Sequence, residues 1–114
     1  MKYLLLICND KNQTPPTPAE MESMFAGHRK LGEELRAAGK VIAGERLRPD
    51  ADAARVRAKA GQRQVIDGPF AETKEALGGF YLIECADRKE ATEWAKKIPL
   101  RDGSHVDVRE VWPM

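Results

Sequence analysis

A chain of 114 residues has the length of one compact domain and can bury roughly two thirds of the surface its unfolded form exposes, so a single domain over residues 1–114 is expected. Nineteen basic residues against eighteen acidic ones leave a net charge of +1, which excludes the strong positive field of a protein that holds nucleic acid mainly through phosphates. Two cysteines are too few for a disulfide scaffold, and the 42% of hydrophobic residues include fifteen alanines, so large apolar side chains must be concentrated on a few strands and helix faces.

Residues 2–8 (KYLLLIC) read as a buried strand, short, rich in branched side chains and ended by Asn9-Asp10. The run is too short for a membrane span or a signal-peptide core, and a soluble, cytoplasmic protein is expected. Thr17-Pro18-Ala19-Glu20 is a capping box with proline at the first helical position. Met21, Met24, Phe25, His28, Leu31, Leu35 and Ala38 then recur on one helix face, and Gly39 stands where a left-handed C-terminal cap is needed, which predicts a helix over about 18–38.

A strand is expected over 40–47, in which Gly44 signals a bulge or a close backbone approach. After a turn at Arg48–Asp52, segments 54–59 and 63–67 flank Ala60-Gly61-Gln62 in the pattern of a hairpin. Glu72–Leu77 reads as one helical turn stopped by Gly78-Gly79, and 80–86 (FYLIECA) as a second apolar strand. Asp87 with Glu90 three residues on caps a second helix whose stripe is Ala91, Trp94, Ala95 and Ile98 and which Pro99 ends. The last strand covers about 105–111, with Val106 and Val108 on one face and His105, Asp107 and Arg109 on the other.

With the hairpin set aside, the order is strand, helix, strand, strand, helix, strand, the ferredoxin-like α+β arrangement. Two helices cover one sheet face. The opposite face, carrying half of the side chains of two strongly apolar strands, calls for a second copy of the same sheet, so a homodimer with its sheets face to face is expected.

The segment Asp67-Gly68-Pro69-Phe70-Ala71-Glu72-Thr73-Lys74-Glu75, followed by Leu77-Gly78-Gly79-Phe80-Tyr81-Leu82-Ile83-Glu84, resembles the YCII-related family, and within it the DGPF-containing branch. Gly39–Leu47, Glu93-Trp94-Ala95, Ile98-Pro99 and Val106-Asp107-Val108-Arg109 fit the same pattern, so the resemblance covers nearly the whole chain. It implies a ferredoxin-like, dimeric α+β barrel. Relatives include chloromuconolactone dehalogenases, a His-Asp pair has been proposed as an active site in another branch, and some members are loosely associated with extracytoplasmic-function sigma factors. The family usually has proline where this chain has Glu110, a change that would let the last strand pair one residue further.

Two function classes follow. In the first, a dimer-barrel pocket binds a small anionic metabolite and supports proton-transfer chemistry on a carboxylate or lactone, with His28 and Asp67 as catalytic residues and Arg109, Phe70, Glu72 and Lys74 as ligand contacts. In the second, the chain is a non-enzymatic regulatory or interaction module. His28 shares the stripe that faces the sheet, where a histidine either satisfies a buried partner or lines a cavity. Asp67–Phe70 reads equally as a rigid structural turn, with Asp67 bonding the backbone that follows. Cys8 and Cys85 fall near opposite ends of paired strands, roughly 20 Å apart and beyond disulfide reach. With no CxxC and only two histidines, no metal site is expected, and with no phosphate loop or dinucleotide fingerprint, no cofactor. The basic residues between Arg46 and Arg63 alternate along the hairpin without aromatic neighbours and read as a solvated strand face, not a nucleic-acid surface.

Overall fold

A computed structural model describes residues 1–114. The elements, in chain order, are β1 (Lys2–Asp10), α1 (Pro18–Ala37), β2 (Val41–Arg46), a short 3-10 turn (Asp50–Asp52), β3 (Ala54–Lys59), β4 (Gln62–Asp67), β5 (Glu75–Glu84), α2 (Arg88–Ala95) and β6 (His105–Glu110). Four strands form one antiparallel sheet in the order β2-β5-β1-β6, and β3 and β4 form a separate two-stranded ribbon. This is the expected ferredoxin-like α+β arrangement with an inserted hairpin. No helix is long and apolar enough to cross a membrane.

Helix α1 starts where its capping box forms in full: the Thr17 hydroxyl accepts from the Glu20 amide at 3.1 Å, and the Thr17 amide donates to the Glu20 carboxylate at 3.0 Å. It ends at Gly39, whose φ of +69° is open to glycine at no steric cost. In α2, Asp87 accepts from the Glu90 amide, but the Glu90 carboxylate turns to Lys40 at 2.8 Å instead of back to the cap.

Alternation along β1 decides the two faces of the sheet. Tyr3 and Leu5 are buried with Ile83 of β5, Leu31 and Leu35 of α1, Ala91 and Ala95 of α2, Cys85 and Ile98. Leu4, Leu6 and Cys8 point to the helix-free side, where the register sets Leu82, Phe80 and Leu77 against them from β5 and Arg109, Asp107 and His105 from β6. Only 10 of 114 residues are buried, and the radius of gyration, 15.9 Å, exceeds the roughly 13 Å of a compact chain of this length, since one sheet face is bare and the hairpin projects.

Two expectations are corrected, and a third holds in one of its two forms. Glu72–Leu77 is not a helical turn: residues 75–77 continue β5, because Ala76 and Glu75 find strand partners in Asn9 and Asp10. Their pairing passes through a bulge. Ile7 lies opposite Gly79 but Cys8 lies opposite Leu77, so Gly78 is the extra residue. At the other end, β6 runs to Glu110, but not through the Glu110 amide. Val111 donates to the Lys2 carbonyl at 2.8 Å, which makes Tyr3 and Glu110 a non-hydrogen-bonded pair and turns the Glu110 amide away from β1, so a proline there would lose no ladder bond. In β2, the irregularity falls between Val41 and Ala43, and Gly44 marks the close approach: a Cβ there would stand 2.9 Å from the Tyr81 ring.

Candidate functional site

A cavity of about 520 Å³ lies between the N-terminal half of α1 and the helix-covered face of the sheet. Met21, Met24, Phe25 and His28 line it from the helix, and Ile7, Gly79 and Tyr81 from the strands. Glycines make this space: at Gly79 a Cβ would meet the Glu45 carbonyl at 2.9 Å. Gly44 leaves room for the Tyr81 ring to lie flat over β2, and Gly27 lets α1 close on Pro99, whose Cγ stands 2.5 Å from where a Cβ would be.

Within the cavity wall, His28 Nδ1 and the Tyr81 hydroxyl are 2.7 Å apart, and the two rings are stacked at 5.9 Å with an interplanar angle of 21°. Burial pushes the His28 imidazole below its ordinary value, with Arg46 adding to the shift, and burial raises the Tyr81 phenol. At neutral pH both groups are therefore uncharged. Arg46 lies over the Phe25 ring at 4.8 Å and has no carboxylate partner, whereas Arg101 is engaged by Glu20 at 3.7 Å. A neutral imidazole bonded to a phenol presents one donor and one acceptor whichever of them holds the shared proton: with Nδ1–H donating, Nε2 accepts and the phenol donates; with the phenol donating, Nε2–H donates and the phenol oxygen accepts.

Of the residues singled out in the sequence, His28 lines this cavity and the other five do not. Asp67 ends β4 opposite Ala54, is exposed, and makes no side-chain hydrogen bond. The residue that fastens the following turn is Asp50, accepting from the Phe70 amide at 3.3 Å. Lys11 completes the clamp, donating to the Phe70 carbonyl at 2.7 Å and the Thr73 hydroxyl at 2.8 Å and pairing with Asp50 at 2.5 Å, and it holds Asp50 below the usual carboxylate range. Phe70 lies under the Arg55 guanidinium at 3.9 Å, and Glu72 is ion-paired to the same Arg55. Lys74 is exposed and enters the structure through its carbonyl, which accepts from the Lys11 amide. Gly68 follows in a cis bond to Pro69, and a Cβ on it would fall 1.8 Å from the Asp50 carbonyl oxygen, so the DGPF segment is built as a docking turn that ties the hairpin to β1. Arg109 pairs with Leu4 on the helix-free face, across the sheet from His28.

Sequence reasoning missed Tyr81 and Arg46. The signal was present in period two: Tyr81 shares its face with buried Ile83, and Arg46 shares its face with Gly44.

A two-layer α+β domain whose cavity is walled by a neutral histidine–tyrosine pair beside an unpaired arginine belongs to the class of small ferredoxin-like proteins with a pocket under the first helix. The model of the YCII-related domain matches residues 1–114, and the chain belongs to that family. It is also 43% identical over 103 residues, 86% of this chain and 80% of the relative, to an uncharacterised protein of Rhizobium meliloti (strain 1021).

Proposed function

We propose that the chain binds a small anionic metabolite, a carboxylate or lactone, in the cavity under α1 and moves a proton on it. The observation that carries this reading is the 2.7 Å His28–Tyr81 pair beside the partnerless guanidinium of Arg46. Arg46 would hold the anion. Burial first and the Arg46 charge second hold the imidazole deprotonated, and a bound carboxylate would cancel the second of these, raising the basicity of His28 at the moment of substrate binding. The donor–acceptor pair can then take a proton from one ligand atom and return one to another without a net change in charge, the need of an isomerisation or elimination next to a carboxylate. Two copies joined through their helix-free sheet faces fit the small number of buried residues and the apolar Leu4, Leu6, Phe80 and Leu82 on that side. Both cysteines are unpaired, which suits a reducing compartment such as the cytoplasm.

The test is a panel of small mono- and dicarboxylates and lactones followed by proton NMR of the ligand in deuterium oxide. Binding should weaken by tenfold or more in Arg46→Gln, and solvent deuterium should enter the ligand only with His28 present. Binding without exchange would reduce the reading to a carrier. Absence of millimolar binding by every anion, or binding undiminished in Arg46→Gln, would overturn it and leave the interaction-module reading.

A further inference from the structure

On the helix-free face, at the far end of the sheet from the N-terminus, three strands bring together donors that lie 67 and 30 residues apart in sequence. Cys8 of β1 stands opposite His105 of β6, and Glu75 opens β5. Cys8 Sγ, a Glu75 carboxylate oxygen and an imidazole nitrogen of His105 all lie within 4.8 Å of one another. His105 Nε2 is 3.4 Å from Glu75 Oε2 and 3.7 Å from Asp107 Oδ2, so both carboxylates converge on the same nitrogen.

We propose that Cys8, Glu75 and His105 form a binding site for a divalent cation of the zinc class, with the Asp107 carboxylate beside it as a fourth donor.

Three features support this site. The spacing is right: ligands about 2.0–2.3 Å from a tetrahedral metal stand roughly 3.3–3.8 Å from one another, the range of the two imidazole–carboxylate separations here, so a modest inward shift of the thiol completes the set. Donor chemistry then selects the ion. One sulfur, one imidazole nitrogen and carboxylate oxygens suit borderline cations such as Zn²⁺ and Co²⁺, whereas Mg²⁺ and Ca²⁺ prefer all-oxygen cages and Cu⁺ prefers all-sulfur ones. Charge is the third feature. Glu75 and Asp107 have no ionic partner other than His105, so two carboxylates meet one imidazole with no full cation between them, a charge balance that a dication would complete.

The bulge at Gly78 is what assembles the set. Were Gly78 paired with Cys8 in a regular ladder, Leu77 would turn to the helix side, and Glu75, two residues on, would turn with it. With this length of chain, Glu75 thus shares a face with Cys8 and His105 because Gly78 stands out of the ladder. In the single chain the side chains of His105, Glu75 and Asp107 are 43%, 57% and 57% exposed, and they stand at the end of the face through which two copies would meet.

Co²⁺ is the probe, added to the full-length protein after removal of metal with a chelator. Binding should give a thiolate-to-cobalt charge-transfer band in the near ultraviolet and the visible bands of a four-coordinate ion, at one equivalent per chain, both abolished by Zn²⁺. Cys8→Ser should lose the charge-transfer band, Glu75→Gln and His105→Gln should weaken binding at least tenfold, and Cys85→Ala should retain the spectrum; circular dichroism of the metal-free variants verifies that each is folded. A protein with no charge-transfer band in excess Co²⁺, or one whose band survives in Cys8→Ser, would overturn the proposal.

Discussion

Neighbouring leucines on β1 should respond to truncation in different ways. Leu5 is fully buried between the sheet and both helices, so Leu5→Ala removes buried methyl groups from a core of nine residues and should destabilise by about 3 kcal/mol. At an unfolding entropy of about 2.1 cal/mol/K per residue, 114 residues give about 0.24 kcal/mol/K, and the melting temperature should fall by about 12 °C. Leu6 faces the other way, against Phe80 and Asp107, and is partly exposed in a single chain. If two sheets meet there, the wild-type melting temperature must rise with protein concentration. A hundredfold increase is worth about 2.7 kcal/mol per dimer, or about 6 °C. Leu6→Ala should flatten that dependence, while Leu5→Ala should lower the whole curve and leave its slope intact. Differential scanning calorimetry over a hundredfold concentration range reads both effects. Equal shifts for the two variants would refute the assignment of faces, and a wild-type melting temperature independent of concentration would refute the sheet-to-sheet dimer.

Gly68→Ala, whose Cβ would sit 1.8 Å from the Asp50 carbonyl oxygen, should undock the hairpin, and Lys11→Met should do so more mildly by releasing Asp50, Phe70 and Thr73; faster hydrogen exchange in residues 54–67 with unchanged exchange in β1 and β5 is the expected signature. Arg46→Gln should raise the His28 pKa, followed by NMR of the imidazole, and an unmoved value would show that the guanidinium does not govern the site. Because the folded-state His28 pKa lies below the unfolded one, its contribution to stability is present above about pH 6.5 and is lost as pH falls toward the folded value; His28→Asn should remove that slope. Asp50 and Glu90 are depressed chiefly by their hydrogen bonds to Lys11 and Lys40, so the stability they add is present above about pH 4 and is lost as pH falls through their lowered values, and Asp50→Asn with Glu90→Gln should lessen the difference in denaturant midpoint between pH 7 and pH 3.

Helices and strands were readable where local chemistry decides them. The Thr17–Glu20 box, Gly39 and the period-two strands act within a few residues, and each formed as expected. The site was half readable. His28 announced itself as an imidazole on an apolar stripe, but its partner Tyr81 lies 53 residues away and is fixed by the packing of α1 over β5. Asp67 drew attention through the DGPF motif, yet the carboxylate that fastens this turn is Asp50, delivered by a separate turn whose role depends on Lys11 of a third segment. Residues 72–77 were misread because the charged Glu72-Thr73-Lys74-Glu75 has no strand periodicity of its own; β1 imposes the extended form on residues 75–77 by offering unpaired backbone groups at Cys8, Asn9 and Asp10.

The extra residue in β5 also sets a rule of parity for this fold. Leu77 and Gly79, two apart in sequence, face opposite sides of the sheet only because Gly78 stands out of the ladder, so taking Gly78 into the ladder against Cys8 would turn Leu77 under α1 and carry Glu75 away from Cys8 and His105, while every residue from Gly79 to Glu84 kept its place. Deleting Gly78 would instead straighten β5 and leave Leu77 against Cys8 and Glu75 against Asp10. Among relatives, a gap of one residue beside the paired glycines should therefore leave both sheet faces as they are here, whereas a full-length strand without the bulge should exchange them from this point back.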